Sequence, residues 1–161
     1  MSSTSKEGRE PGRPVLDDTA KRIIELLQED GRQAYVTIAR EVGLSEAAVR
    51  QRVQRLIDGG VIQIVAVTDP LQIGFTREAM VGLRTTGDIG PVATAVSALP
   101  EVSYVVTTAG GFDLIIEVVC EDDAHLLDLI STRLRTIPGV VSTETFVYLK
   151  LNKQHYNWGT R

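Results

Sequence analysis

The sequence predicts an α+β protein in two parts. The first is an N-terminal winged helix-turn-helix of three helices plus a short strand pair. The second is a C-terminal βαββαβ ferredoxin-like α/β sandwich. Three observations point there. Two amphipathic segments, Tyr35–Val42 and Glu46–Asp58, are separated only by Gly43-Leu44-Ser45. The hydrophobic pattern changes near Arg77, after the break at Asp69-Pro70. A weak repeat, Leu99-Pro100-Glu101-Val102 and Ile137-Pro138-Gly139-Val140, twice follows a helical pattern and opens a strand pattern.

Residues 1–14 are rich in Ser, Gly, Pro and mixed charge, which predicts a disordered tail. Leu16, Ala20, Ile23, Ile24 and Leu27 then recur at helical spacing, with Asp17 placed as cap and Gly31 as stop. In the turn of the motif, Gly43 suits a left-handed residue closing the second helix, and Ser45 offers its hydroxyl to the free N–H groups of the third. At about 100° per residue, Val49, Val53, Leu56 and Ile57 of the third helix share one side and must be buried. Ala47, Ala48, Gln51 and Gln54 lie opposite, flanked by Arg50, Arg52 and Arg55. Small residues let a helix sit deep in a DNA groove, while Gln and Arg read base edges or hold phosphates. Ser45, Ala47, Ala48, Arg50, Gln51, Arg52, Gln54 and Arg55 therefore form the candidate DNA-binding set. The bland alternative is the solvated face of an ordinary helix.

Gly59-Gly60 ends that helix, and Val61–Thr68 is β-rich, a candidate wing or hinge strand. Helix-turn-helix residues 15–62 thus give way to a hinge strand and linker at 63–76. From 77 to 151 the pattern reads strand (Ala79–Thr86), helix (Ile89–Leu99), strand (Val102–Thr108), strand (Leu114–Cys120), helix (Asp122–Thr136) and strand (Val140–Leu151). On the last helix Leu126, Leu127, Ile130 and Leu134 share a face. Two crossover units place both helices on one side of an antiparallel sheet. The other side, with its many Val, Ile and Leu residues, calls for a cover, and a second subunit suits it. Residues 152–161 form a C-terminal tail whose Tyr156 and Trp158 suggest packing on a neighbouring domain or subunit.

Composition narrows the class. The chain has 161 residues, 43% hydrophobic and 24% charged, with net charge −4. Residues 1–60 hold 10 Lys/Arg and 10 Asp/Glu, and residues 61–161 hold 7 and 11, so the acidic excess lies wholly in the second part. A modest basic face on one helix suggests DNA binding as a dimer or larger assembly, because one copy neutralises few phosphates. No apolar run approaches the ~18 residues of a membrane span, and the N-terminus shows no apolar leader region. Cys120 is the only cysteine, which excludes an intrachain disulfide and fits a reducing cytoplasm. It reads as a buried small hydrophobe. His125 and His155 with one thiol make no metal-ligand spacing, and no cofactor is implied. His125 reads as solvated.

The combined pattern resembles the leucine-responsive regulatory protein/AsnC family of transcription regulators. The resemblance rests on Leu16–Ile24, Gln28–Arg32, Ile38–Ser45, Val49–Leu56 and Gly60–Ile62, and on Ala109-Gly110-Gly111-Phe112-Asp113 as a Gly-x-aromatic-Asp loop. It covers residues 15–151 in order. It implies dimers that assemble further, often to octamers, and a C-terminal domain that oligomerises and senses a small molecule, usually an amino acid. By the same resemblance Gly110, Gly111, Phe112 and Asp113 would form the effector loop, with Thr143 and Thr145 as companions. The loop's chemistry suits that role. Consecutive glycines leave N–H groups open to a carboxylate, and Asp113 can accept an ammonium. The simpler reading is a tight turn that Asp113 caps. The expected function is a sequence-specific transcriptional regulator, not an enzyme. Two rivals stand beside it: a sirohaem-decarboxylase-like enzyme of the same architecture, and a sensing module with vestigial DNA contacts.

Overall fold

The structure, a computed structural model, describes residues 16–161. The tail expected at 1–14 lies outside them. The chain divides into two compact units: residues up to Ala66 together with Gln154–Arg161, and Val67–Lys153.

The first unit holds helices α1 (Asp18–Glu29), α2 (Tyr35–Val42) and α3 (Glu46–Asp58). Each boundary has a local cause. Asp17 Oδ1 accepts from the Ala20 N–H at 2.7 Å and caps α1. Gly43 ends α2 at φ 68°, a left-handed conformation that a Cβ would penalise. Ser45 Oγ accepts from the Ala48 N–H at 3.2 Å and caps α3. Ile23, Leu26, Ile38, Val49 and Val53 close the core between the three helices, and Ala20, Ile24 and Leu56 form a smaller cluster beside it. Leu26 rather than Leu27 is fully buried on α1, and Ile57 stays 36% exposed at the edge of the α3 stripe.

The strand expected at Val61–Thr68 does not form, and neither does the short strand pair: the described residues contain no strand before residue 77. The segment leaves Val65 67% exposed. A ladder needs a second backbone alongside, and the chain supplies none there.

The second unit runs β1 (Arg77–Thr85), α4 (Ile89–Ser97), β2 (Val102–Thr107), β3 (Leu114–Cys120), α5 (Asp123–Asp128) and β4 (Val140–Val147). Its strands order β2-β3-β1-β4 with every neighbour antiparallel, the ferredoxin-like sandwich expected. The helix side of the sheet is closed: Ala79, Val81, Leu83, Leu114, Ile116 and Val118 pack against Val92, Val96, Leu129 and Leu134. The other side carries Glu78, Met80, Gly82 and Arg84 of β1 beside Ile115, Glu117 and Val119 of β3, by strand alternation and register. Thus β3 is sealed on one face only. The two repeated tetrapeptides form matching turns, Val102 N–H to Leu99 O and Val140 N–H to Ile137 O, both at 3.1 Å.

The helix expected at Asp122–Thr136 is α-helical only to Asp128, and Leu129–Leu134 widens into a π-helical segment. Leu126, Leu129 and Leu134 are the residues buried along it, and Leu127 is 66% exposed instead of sharing their face. β4 stops four residues short of Leu151, and Leu149 stands clear of the sheet.

Residues 154–161 pack within the first unit. The Gly159 N–H donates to Gln28 Oε1 at 3.0 Å and Thr160 Oγ1 to Glu25 Oε1 at 2.7 Å. The Thr160 hydrogen bond holds the Glu25 carboxyl below its ordinary value.

Candidate nucleic-acid interface and effector loop

On α3, Val49, Val53 and Leu56 point inward, which turns Ala47, Gln51, Gln54 and Asp58 outward at about 100° per residue. Ala47, Arg50, Gln51, Gln54 and Arg55 are exposed and Ala48 is half-buried, so this part of the candidate set shares an accessible surface. The capping hydroxyl of Ser45 is also exposed. Arg50 is held in place: Nη2 donates to Glu46 Oε1 at 2.6 Å, and the guanidinium lies 5.2 Å from the centre of the Tyr35 ring. Gln54 Nε2 donates to Asp58 Oδ1 at 2.7 Å.

Arg52, expected with Arg55 to hold phosphates, is engaged within the chain. It sits on the flank of α3 nearest α1 and donates to Asp17 Oδ2 at 2.7 Å. That bond, with the Ala20 N–H, holds the Asp17 carboxyl below its ordinary value. Arg52 therefore ties α3 to the start of α1, while Arg50 and Arg55 are the more exposed cations of α3.

The Gly110–Asp113 loop joins β2 to β3. The Asp113 N–H donates to Leu83 O and the Thr108 N–H to Asp113 O, each at 2.9 Å. Asp113 Oδ2 accepts from the Thr85 N–H at 2.6 Å and the Thr85 hydroxyl at 3.2 Å. Thr108 Oγ1 donates to Phe112 O at 2.6 Å. Asp113 thus fastens the loop to β1, and its side chain bonds Thr85 rather than capping the turn's own N–H groups. A Cβ on Gly110 or Gly111 would meet nothing within 4 Å. Among the described residues, no hydrogen bond uses the N–H of Gly110, Gly111 or Phe112.

Phe112 folds back onto Gly82, where a Cβ would lie 2.6 Å from the ring, so only glycine admits it. The ring packs edge-on against Phe146 at 6.3 Å. Gly82→Val is expected to displace Phe112 and cost the C-terminal unit about 2 kcal/mol. A lowered urea midpoint is the readout, and an unchanged one would show that the ring's seat does not matter.

Thr143 and Thr145 do not join the loop. They pair with Leu83 and Val81, residues of the helix-covered side, whereas Phe112 lies on the open side with Gly82. Thr143 Oγ1 instead accepts from Arg135 Nε at 3.1 Å. The period of two in a strand separates them, and a motif read along one dimension does not reveal it.

Other groups escaped sequence reasoning. Arg84 places its guanidinium 5.5 Å from the Phe112 ring centre. On the open face Tyr148 Oη donates to Glu117 Oε1 at 2.7 Å, and burial with that carboxylate pushes the phenol up. Burial, then the charges of Glu117 and Asp69, raise Glu78. His125, expected to be solvated, is half-buried. Its Nδ1 accepts from the Glu121 N–H and Nε2 meets Glu101 Oε1 at 3.1 Å, which assigns the ring proton to Nε2. Arg133 also bonds Glu101. Burial works to raise the Glu101 carboxyl, but Arg133 and His125 outweigh it and hold it below its ordinary value. Cys120 is buried, as expected, and burial pushes its thiol up. No helix is long and apolar enough to cross a membrane, and no metal-type cluster forms among the described residues.

Residues 16–57 match the model of the AsnC-type helix-turn-helix domain. Residues 76–161 match a C-terminal dimeric alpha+beta barrel domain of AsnC-type regulators. The HTH-type transcriptional regulator FL11 of Pyrococcus horikoshii is 32% identical, over 88% of this chain and 95% of that one. The HTH-type transcriptional regulator Rv2324 of Mycobacterium tuberculosis is 35% identical, over 83% and 92%. Among solved structures, the leucine response regulatory protein of M. tuberculosis aligns with TM-score 0.78 at 28% identity, over 86% of this chain and 96% of that one. A Neisseria meningitidis transcriptional regulator solved as an L-Met complex shares the fold, with TM-score 0.76 at 24% identity over 88% and 95%. Motif, sheet order and relatives agree, and the chain belongs to the leucine-responsive regulatory protein/AsnC family of helix-turn-helix transcriptional regulators.

Proposed function

We propose that the protein regulates transcription as a homodimer, assembling further to an octamer, that inserts α3 of each copy into DNA and responds to an amino acid at the Gly110–Asp113 loop. The observation that carries the DNA part is the outward face of α3. Ala47 and Ala48 leave room for close approach, Gln51 and Arg50 stand where base edges would lie, and Gln54 and Arg55 flank them. Arg50 must exchange Glu46 for a phosphate or a base, an exposed ion pair that costs little to break.

Arg50→Ala or Gln51→Ala is expected to weaken binding to the protein's own promoter by about 1–3 kcal/mol each, and Arg55→Ala to lower the salt slope by about one. Gel shifts across a salt series measure both, with circular dichroism to show an intact fold. Unchanged affinity in Arg50→Ala and Gln51→Ala would remove the assignment of α3.

The unpaired N–H groups of Gly110, Gly111 and Phe112 support carboxylate binding. Asp113 holds the loop in shape through Oδ2 and has Oδ1 left for an ammonium. A neighbour of the same fold carries L-Met, which favours an amino acid as the effector class. The open sheet face favours a second copy as its cover, since the matched C-terminal domain is described as dimeric. Sedimentation separates dimer from octamer.

A further inference from the structure

Resting on the effector reading above, the geometry points to a dicarboxylic effector, with Arg84 as the residue that selects it. Three observations converge. The loop offers consecutive N–H donors at Gly110, Gly111 and Phe112 that no group of the described residues uses. In the single chain Arg84 is exposed and lies over the ring of Phe112, the one side chain between the glycines and Asp113. Arg84 makes no ion pair among the described residues, although Glu144 stands on the same face of the neighbouring strand. Meanwhile the only acid of the loop spends Oδ2 on the Thr85 N–H and hydroxyl. The site therefore presents an uncommitted cation and uncommitted N–H dipoles, with its own carboxylate partly neutralised by hydrogen bonds.

One carboxylate of a ligand satisfies the backbone donors. A second, on the ligand's side chain, meets the guanidinium, whose planar fork binds carboxylates with two parallel hydrogen bonds. A neutral aliphatic amino acid would leave Arg84 unused. Two ligand sources share this chemistry: an acidic amino acid and the corresponding 2-oxo acid. The remaining Asp113 oxygen favours the first, because it can take an ammonium that the oxo acid lacks.

The test is calorimetry on the full chain with L-glutamate, L-aspartate, 2-oxoglutarate and L-leucine, for wild type, Arg84→Ala and Arg84→Lys. Wild type is expected to bind an acidic ligand at least about tenfold more tightly than L-leucine. Arg84→Ala should erase that preference while leaving L-leucine binding as it was, and Arg84→Lys should fall between, since an ammonium cannot reproduce the fork. Glutamate above 2-oxoglutarate assigns the ammonium to Asp113, and the reverse assigns the oxo acid. L-leucine bound as tightly as glutamate by wild type, or a preference that survives Arg84→Ala, overturns the role of Arg84 but leaves the loop as an effector site. No binding of any ligand overturns both. Sedimentation of Arg84→Ala supplies the structural control. A variant that falls apart into single chains assigns Arg84 to holding the copies together rather than to the ligand, and also overturns the proposal.

Discussion

Met80→Asp is expected to convert the protein to single chains and to weaken promoter binding at least about 100-fold, the gain normally contributed by linking two binding modules. Met80 is the centre of the open sheet face, paired with Glu117 on one side and Phe146 on the other. Around it Phe146 is 44% and Tyr104 53% exposed, a patch of apolar surface that a partner would cover. A third carboxylate beside Glu78 and Glu117 would add like charge where burial and Glu117 already push the Glu78 carboxyl up. The substitution leaves the helix-covered core untouched, because Ala79 and Val81 on either side of it face the other way. Sedimentation velocity with a parallel gel shift reads both effects, and Met80→Leu serves as the conservative control. An oligomer that survives Met80→Asp would show that this face is not the joint between copies.

Arg133→Ala is expected to cost the C-terminal unit about 2 kcal/mol at neutral pH, between the cost of removing one partner from a buried ion pair and that from an exposed one. The Glu101 side chain is 10% exposed and its Oε2 has no hydrogen-bond partner, so the carboxylate depends on Arg133 and on His125. The sign with pH follows. In the native chain the Glu101 value is depressed, so its stabilisation is present above the unfolded-state value and is lost as pH falls through the folded-state value. Without Arg133, burial prevails and the carboxyl takes up a proton more readily. The deficit of the variant should therefore shrink as acid protonates Glu101. Urea unfolding followed by circular dichroism at pH 7 and pH 4 measures it. A deficit below about 1 kcal/mol at pH 7, the scale of an exposed ion pair, would place Glu101 in solvent-like surroundings.

How far the residues were legible differs between the two units. In the first, caps and stops are local chemistry. Asp17, Gly43 and Ser45 act within four residues of themselves, so their roles follow from type and position. The outward face of α3 is legible for the same reason, since one helix has one period. Arg52 was not, because its partner Asp17 lies 35 residues away and only packing of α1 on α3 brings them together. The absent strand at Val61–Thr68 shows the same limit from the other direction: β-propensity is local, but a ladder is made with another segment.

In the C-terminal unit the order of strands and helices, and hence the sandwich, was written in the alternation of patterns and in the repeated Pro-containing turns. The character of the open sheet face was only half legible, because Glu78, Arg84, Glu117 and Glu144 share it with the apolar residues. Which side of that sheet a residue occupies relative to the loop was not. Phe112 over Gly82, Arg84 over Phe112, Asp113 on Thr85 and the separation of Thr143 from all of them arise where three strands and a loop meet. The widening after Asp128, from which Arg133 reaches Glu101, also belongs to packing, because no local signal marks it. The amino-acid order by itself determined most of the elements, their caps, the outward face of α3 and the family; the three-dimensional packing alone decided which charges are paired within the chain, since charge pairing depends on distance through space and not along the chain.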